Sequence, residues 1–117
     1  MESILITIKK MLGIDEAFIA FDTDVMMNIN SALMVLNQLG VGPATGFMIT
    51  GKDETWSQFL LARTDLEAVK TYIYLKVRLL FDPPANSFLV DAIKNQISEL
   101  EWRINVQSEK TTKEVPV

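Results

Sequence analysis

The sequence contains neither cysteine nor histidine, and these two absences remove most of the usual active-site chemistry. Without cysteine there are no disulfides, no zinc–thiolate sites and no thiol nucleophile, a composition that fits a reducing compartment. Without histidine the commonest general base, the commonest metal ligand and every Ser–His or Cys–His nucleophile pair are gone. Basic residues are in deficit too: 11 Lys and Arg against 15 Asp and Glu give a net charge of −4. Autonomous DNA binding draws its affinity from phosphate neutralisation and is not expected, although sitting beside DNA without gripping it is compatible with this charge. No unbroken apolar run approaches the roughly 18 residues of a membrane span. Met1–Gly13 also lacks the basic start and small-residue cleavage site of a signal peptide.

Charge is missing locally as well, with no charged residue between Asp24 and Lys52. The helix expected from Asp22 or Asp24 (its cap) to Leu39 has a broad core face of Val25, Met26, Ile29, Ala32, Leu33, Leu36 and Leu39. Its other face carries Met27, Asn30, Ser31, Met34, Val35, Asn37 and Gln38. A solvated helix face normally carries Lys and Glu, so something covers this one: another part of the same chain, or a second subunit at an interface where methionine is enriched and charge depleted. The following stretch, Gly40–Lys52, holds four of the five glycines. Its Gly40-x-Gly42 spacing follows a helix and runs into Pro43, so it is neither a dinucleotide fingerprint nor a P-loop. It reads as a deformable loop tipped with Phe47, Met48 and Ile49, either folded back on the core or making contacts, with a possible short β element at FMIT.

What is present in quantity is apolar helix. With 117 residues, 49% of them hydrophobic, the chain is expected to form one helical domain over 1–107, burying about two-thirds of its unfolded surface, with a flexible polar tail over 108–117. The stretch Thr64–Pro84 organises the rest. Leu66, Val69, Ile73, Val77 and Leu80 fall on one helical stripe, and Ala68, Tyr72, Leu75 and Leu79 on a second roughly opposite, so this helix needs cover from two sides. Thr64 and Glu67 have the spacing of a capping box, and Pro83–Pro84 ends the element, with Asp82 pushed out of the α region.

The flanking segments follow from the same periodicities. Glu2–Leu12 places Ile4, Leu5, Ile8, Met11 and Leu12 on one face and reads as a helix closed by Gly13, although the β-branched run leaves a strand over residues 3–9 open. Phe18 and Phe21 in the next connection are expected to tuck into the core. Asp53–Leu61 reads as a short helix with Trp56, Phe59 and Leu60 inward. Asn86 or Ser87 caps a last helix to about Gln107, with Val90, Ile93, Ile97, Leu100 and Ile104 recurring at three and four, a narrow coiled-coil-type seam. Phe88, Trp102 and Val106 lie off that seam. The short Pro83–Pro84 turn predicts an antiparallel hairpin in which the seam packs on the Leu66–Leu80 stripe, leaving the Tyr72 stripe to the N-terminal helices. The fold class is thus mainly α: a small helical bundle with a long antiparallel C-terminal hairpin.

No catalytic constellation emerges. Asp22-Thr-Asp24 opens like a calcium loop but has Met26 at the third ligand position and lacks the glycine, so capping explains both carboxylates. Glu99 and Glu101 are two apart on a helix and do not face each other. No catalytic, cofactor or metal residues are assigned. The candidate subunit or partner interface is Met27, Asn30, Met34, Asn37, Phe47, Met48, Ile49 and Trp102.

Taken in order, the blocks FDTDVMMNINSALMVLNQLGVGP, GFMITG with DETWSQFL, KTYIYLKVRLLFDPP and ISELEWRIN resemble the small head–tail connector (adaptor, head-completion or DNA-packaging) proteins of siphovirus-type tailed bacteriophages and prophages. The resemblance runs from about Ile14 to Gln107. It implies a non-enzymatic helical protein of the virion's head–tail junction, assembled in the host bacterial cytoplasm as a homo-oligomeric ring, dodecameric by resemblance. It further implies as partners the portal above, a stopper or tail-completion protein below, and double-stranded DNA passing through without sequence-specific binding, with no membrane. The residues alone also fit a generic helical protein–protein interaction module, such as a dimeric regulatory domain.

Overall fold

The entry of the chain explains the first pairing in the fold. In the computed structural model, which describes residues 2–114 and side chains as far as Glu109, the backbone before the first helix runs antiparallel to the segment before Trp56. Ile4 N donates to Glu54 O at 3.0 Å and Trp56 N to Glu2 O at 3.2 Å, flanking a lone bridge between Ser3 and Thr55. Ser3 then caps α1 (Ile4–Met11), its hydroxyl accepting from Ile6 N at 3.3 Å. Residues 4–9, where a strand was the alternative to the helix, are therefore helical, and Gly13, at φ 81°, turns the chain out after the last turn.

Four more helices follow among the described residues: α2 (Asp22–Gln38), α3 (Trp56–Leu60), α4 (Leu66–Phe81) and α5 (Ser87–Glu114). The mainly helical bundle expected from the periodicities is what forms. α4 packs against α2 on one side and α5 on the other, α1 leans on α2 and α4, and α2 meets α5 at most glancingly. The core is Ile4, Leu5 and Ile8 of α1, the Val25–Leu36 face of α2, Trp56 and Phe59 of α3, and Val69, Tyr72, Ile73 and Val77 of α4. Ile93, Ile97 and Ile104 close it from α5. At about 25 cal/mol per Å² of apolar surface removed from water, this two-sided burial of α4 is the main stabilising feature of the fold.

Several local expectations are corrected. Asp22 does not cap α2; its carboxylate lies 2.8 Å from the Lys9 ammonium, and no side chain caps the helix at Phe21. Lys9 is buried and also donates to Glu16 O at 3.0 Å and Phe18 O at 2.8 Å. The Thr64–Glu67 capping box does not form: α4 starts after Asp65, whose carboxylate is held in a fork by Arg63 at 2.9 and 2.6 Å. The capping box that exists is Thr55–Gln58, so α3 begins at Trp56 rather than Asp53. Phe18 and Phe21 are 49% and 44% exposed rather than core. Their rings run edge to face, and Phe21 goes on to Phe81, at centroid separations of 5.4 and 5.3 Å.

The hairpin's facing is also the reverse of the expected one at Tyr72. Its hydroxyl donates to Glu101 of α5 at 2.7 Å, so the Tyr72 side of α4 turns to α5, while Leu80 of the other stripe is 64% exposed. Asp82, at φ −147° and ψ 66°, leaves the helix before Pro83. Asn86 starts α5, its Oδ1 accepting from Phe88 N at 2.7 Å. α5 continues past Gln107 to Glu114 because Ser108 is tied in: its hydroxyl donates to Ile104 O at 3.1 Å and accepts from Arg63 Nη1 at 2.5 Å. The rest of the expected tail, 115–117, lies outside the described residues.

Candidate functional site

The uncharged face of α2 becomes one wall of a groove because the glycine loop is tied back across it. Asn37, near the end of α2, donates through Nδ2 to Val41 O at 3.2 Å and Pro43 O at 2.8 Å, fixing the loop's departure. Gly42, at φ 87°, passes so close to Phe59 that a Cβ would stand 2.6 Å from the ring; only glycine fits there. Further on, Asn30 grips Ile49 through both amide atoms, with Oδ1 accepting from Ile49 N at 2.7 Å and Nδ2 donating to Ile49 O at 3.0 Å. A side-chain amide thus does for Ile49 what a neighbouring strand would do, and no strand forms in the Gly40–Lys52 loop, correcting the β element entertained for FMIT. Phe47 settles on Phe59 at a ring separation of 5.3 Å.

The result is an open groove of about 630 Å³ between α2 and loop residues 45–48. Met27, Asn30, Met34, Asn37, Phe47 and Met48 all line it, so six of the eight candidate residues share one surface. Met27, Met34 and Met48 are exposed, whereas Asn30, Asn37 and Phe47 are half-buried because they anchor the loop. Ile49 does not belong with them: it is 2% exposed and part of the core, which corrects its assignment to an interface. Trp102, 67% exposed, is elsewhere, on the outer face of α5 with Phe88 and Val106; α5 packs on α4 and meets the end of α2 near Gly40 and Ser108.

Beside the groove the structure adds a surface that the periodicities did not suggest. Met27 also borders a depression of about 410 Å³ lined by Phe21, Asp24, Asn28, Leu80 and Phe81. The clue was the spacing of Phe18 and Phe21 in a short acidic connection, which reads equally well as core filler. Only the position of α4's end, next to the start of α2, makes it surface.

The groove has no titratable side chain in its walls. Its chemistry is thioether, amide and aromatic ring, suited to receiving an apolar or aromatic group and not to proton transfer. The two perturbed groups among the described residues lie outside it. Burial pushes the Tyr72 hydroxyl up, and the Glu101 carboxylate, which accepts its hydrogen bond, adds to the shift. Burial also tends to raise Glu54, but hydrogen bonds from the Thr50 hydroxyl and from nearby backbone N–H groups outweigh it and leave the carboxyl below its ordinary value. Glu54 thereby pins the far end of the loop through Thr50, whose N and Oγ1 lie 3.1 and 2.9 Å from Oε2.

Comparison with known proteins gives one match. A family model described as "Phage connector protein" matches residues 4–111, which takes in all five helices up to the last turn of α5. No curated protein and no solved structure matches the chain.

Proposed function

This chain belongs to the phage connector family, and from that premise we propose that it is a neck protein that assembles as a ring beneath the portal. Connectors are structural components of the virion at the head–tail junction rather than enzymes. In the proposed role the ring extends the DNA channel and offers the docking surface for the stopper or tail-completion protein. The observation that carries the reading is the exposed, charge-free groove at Met27, Met34 and Met48: a surface that water solvates poorly and that a subunit contact would cover. The net charge of −4 supports a passage through which DNA slides, because basic walls would hold its phosphates.

The test combines a mixing experiment with one substitution. Purified protein added to the portal of the same phage is expected to form a ring on it, visible by cryo-electron microscopy. Met34→Glu, at a side chain 61% exposed, is expected to shift stability by no more than about 0.5 kcal/mol while abolishing ring formation. A chain that neither binds portal nor assembles would remove the reading. A Met34→Glu variant that unfolds would show that this face is core.

A further inference from the structure

Two apolar features of the surface face away from each other. The groove lies on the side of α2 turned away from α4, since α2 buries Val25, Ile29, Leu33 and Leu36 toward the core. On α5 the buried residues Ile93, Ile97 and Ile104 face inward. Phe88, Trp102 and Val106 recur at fourteen and four residues on the opposite face, at 84%, 67% and 40% exposure. α4 stands between the two helices. One feature is a concave slot and the other a convex helical ridge.

We propose that the ridge of one copy enters the groove of the next, with Trp102 as the anchor among Met27, Met34 and Met48. This rests on the ring-forming reading above and names the contact that would build the ring. Three matches between the surfaces support it. Methionine side chains adapt their shape and make favourable sulfur–aromatic contacts, so a slot of three thioethers suits an indole. The charges near Trp102 are already committed within the chain: Glu99 pairs with Arg103 at 2.8 Å and Glu101 accepts from Tyr72 at 2.7 Å. The turn at Trp102 and Val106 is the part that seats in the groove, whose walls carry no charge, with the exposed Asp91 and Glu109 of the same face eleven residues before the anchor and seven after it. Hydrogen bonding matches as well. Among the described residues, the Trp102 Nε1–H has no acceptor and Asn37 Oδ1, at the groove, has no donor, because Asn37 spends its Nδ2 on Val41 and Pro43. The indole N–H of one copy donates to that oxygen of its neighbour.

Because donor and acceptor surfaces face different ways, the contact is head-to-tail. A two-fold dimer would need ridge and groove on one face, so that each copy's ridge could reach the other's groove at the same time. Placement on different faces lets every copy give one contact and receive one, the arrangement a closed ring requires.

The chain has no native cysteine, so introduced thiols report the contact without background. Ser31→Cys in the groove and Val106→Cys one turn from Trp102 leave the proposed anchor intact. The two single variants, and a variant carrying both, are treated with a short bismaleimide in concentrated solution and again on the portal. Mixing the single variants is expected to give cross-linked dimers, the double variant a ladder of higher multimers, and each single variant alone little product. Trp102→Ala, at an exposed side chain, should keep its circular dichroism spectrum while the cross-linked yield falls by about tenfold or more, as for an interface anchor. Efficient self-linking of Ser31→Cys alone would overturn the proposal in favour of like faces meeting. Rings that form on the portal without cross-links would overturn this pairing while leaving the neck role standing. A chain that binds portal as single copies would show that the groove receives a different protein, and would also end the proposal.

Discussion

Replacing Lys9 by methionine tests how the start of α2 is held. The substitution keeps most of the stem's volume, so packing loss stays below about 1.5 kcal/mol, and what goes is the ammonium. The Lys9 side chain is 3% exposed, and its ammonium has three partners, Asp22 Oδ1 at 2.8 Å, Glu16 O at 3.0 Å and Phe18 O at 2.8 Å. Breaking a fully buried ion pair from one side costs about 3–5 kcal/mol. Here the carboxylate is 24% exposed and the two carbonyls belong to an exposed connection, so water recovers part of that loss. Against this, Asp22 Oδ1 is buried and has no hydrogen-bond donor but the ammonium. We expect a net destabilisation of about 2–4 kcal/mol. Urea unfolding followed by the fluorescence of Trp56, which is 1% exposed, measures it, with an unchanged m-value confirming that the native state is the one perturbed. Adding Asp22→Asn should recover at least about 1 kcal/mol of the loss, since the two groups share one interaction. A Lys9→Met loss below about 1 kcal/mol, or strict additivity in the double variant, would refute the claim that this pair ties the connection to α1.

Three further outcomes are expected. Gly42→Ala and Gly46→Ala share a positive φ (87° and 94°), but only the first puts a Cβ against Phe59, at 2.6 Å. Gly46→Ala should therefore lose about 1 kcal/mol in urea unfolding and Gly42→Ala at least about 2. Ile97→Ala should destabilise by about 2–5 kcal/mol, as a large-to-small change at a residue 7% exposed, and a loss well under 1 would mean that the seam is not core. Tyr72→Phe separates in its pH dependence. A hydroxyl whose folded pKa is raised contributes fully below its unfolded value of 10.0 and loses that contribution as pH rises beyond it. Above pH 10 the wild type should lose stability relative to the variant by about 1.4 kcal/mol per pH unit. Parallel curves there would show that Tyr72 ionises freely.

The candidate site was partly legible because composition is local information. A stretch from Asp24 to Lys52 without charge marks a surface that water will not solvate well, wherever the chain goes. That Met27, Met34 and Met48 line one groove was not legible, since it depends on Asn30 reaching Ile49 across 19 residues. The same grip explains why Ile49, an apolar loop-tip residue by sequence, is buried, and why no strand is needed. The neighbouring patch at Phe21 and Leu80 was missed for a related reason: aromatic residues in a connection look the same whether they fill a core or border a surface.

What the sequence determined alone was set by short-range periodicity. It determined the helical class, the two apolar faces of α4, the break at Pro83–Pro84 and the inward seam of α5, because a stripe at 3.6-residue spacing has only one stable use. Tertiary structure decided which polar groups pair. Asp22 has good capping chemistry, yet Lys9 of α1 claims it, since a buried cation needs a carboxylate more than a helix end needs a cap. It decided that Tyr72 faces α5 and that α5 runs beyond Gln107, through contacts 29 and 45 residues apart at Glu101 and Ser108. It also packed α2, which carries the groove, and α5, which carries the Trp102 ridge, on α4, because that helix, apolar on two faces, had to be covered from both.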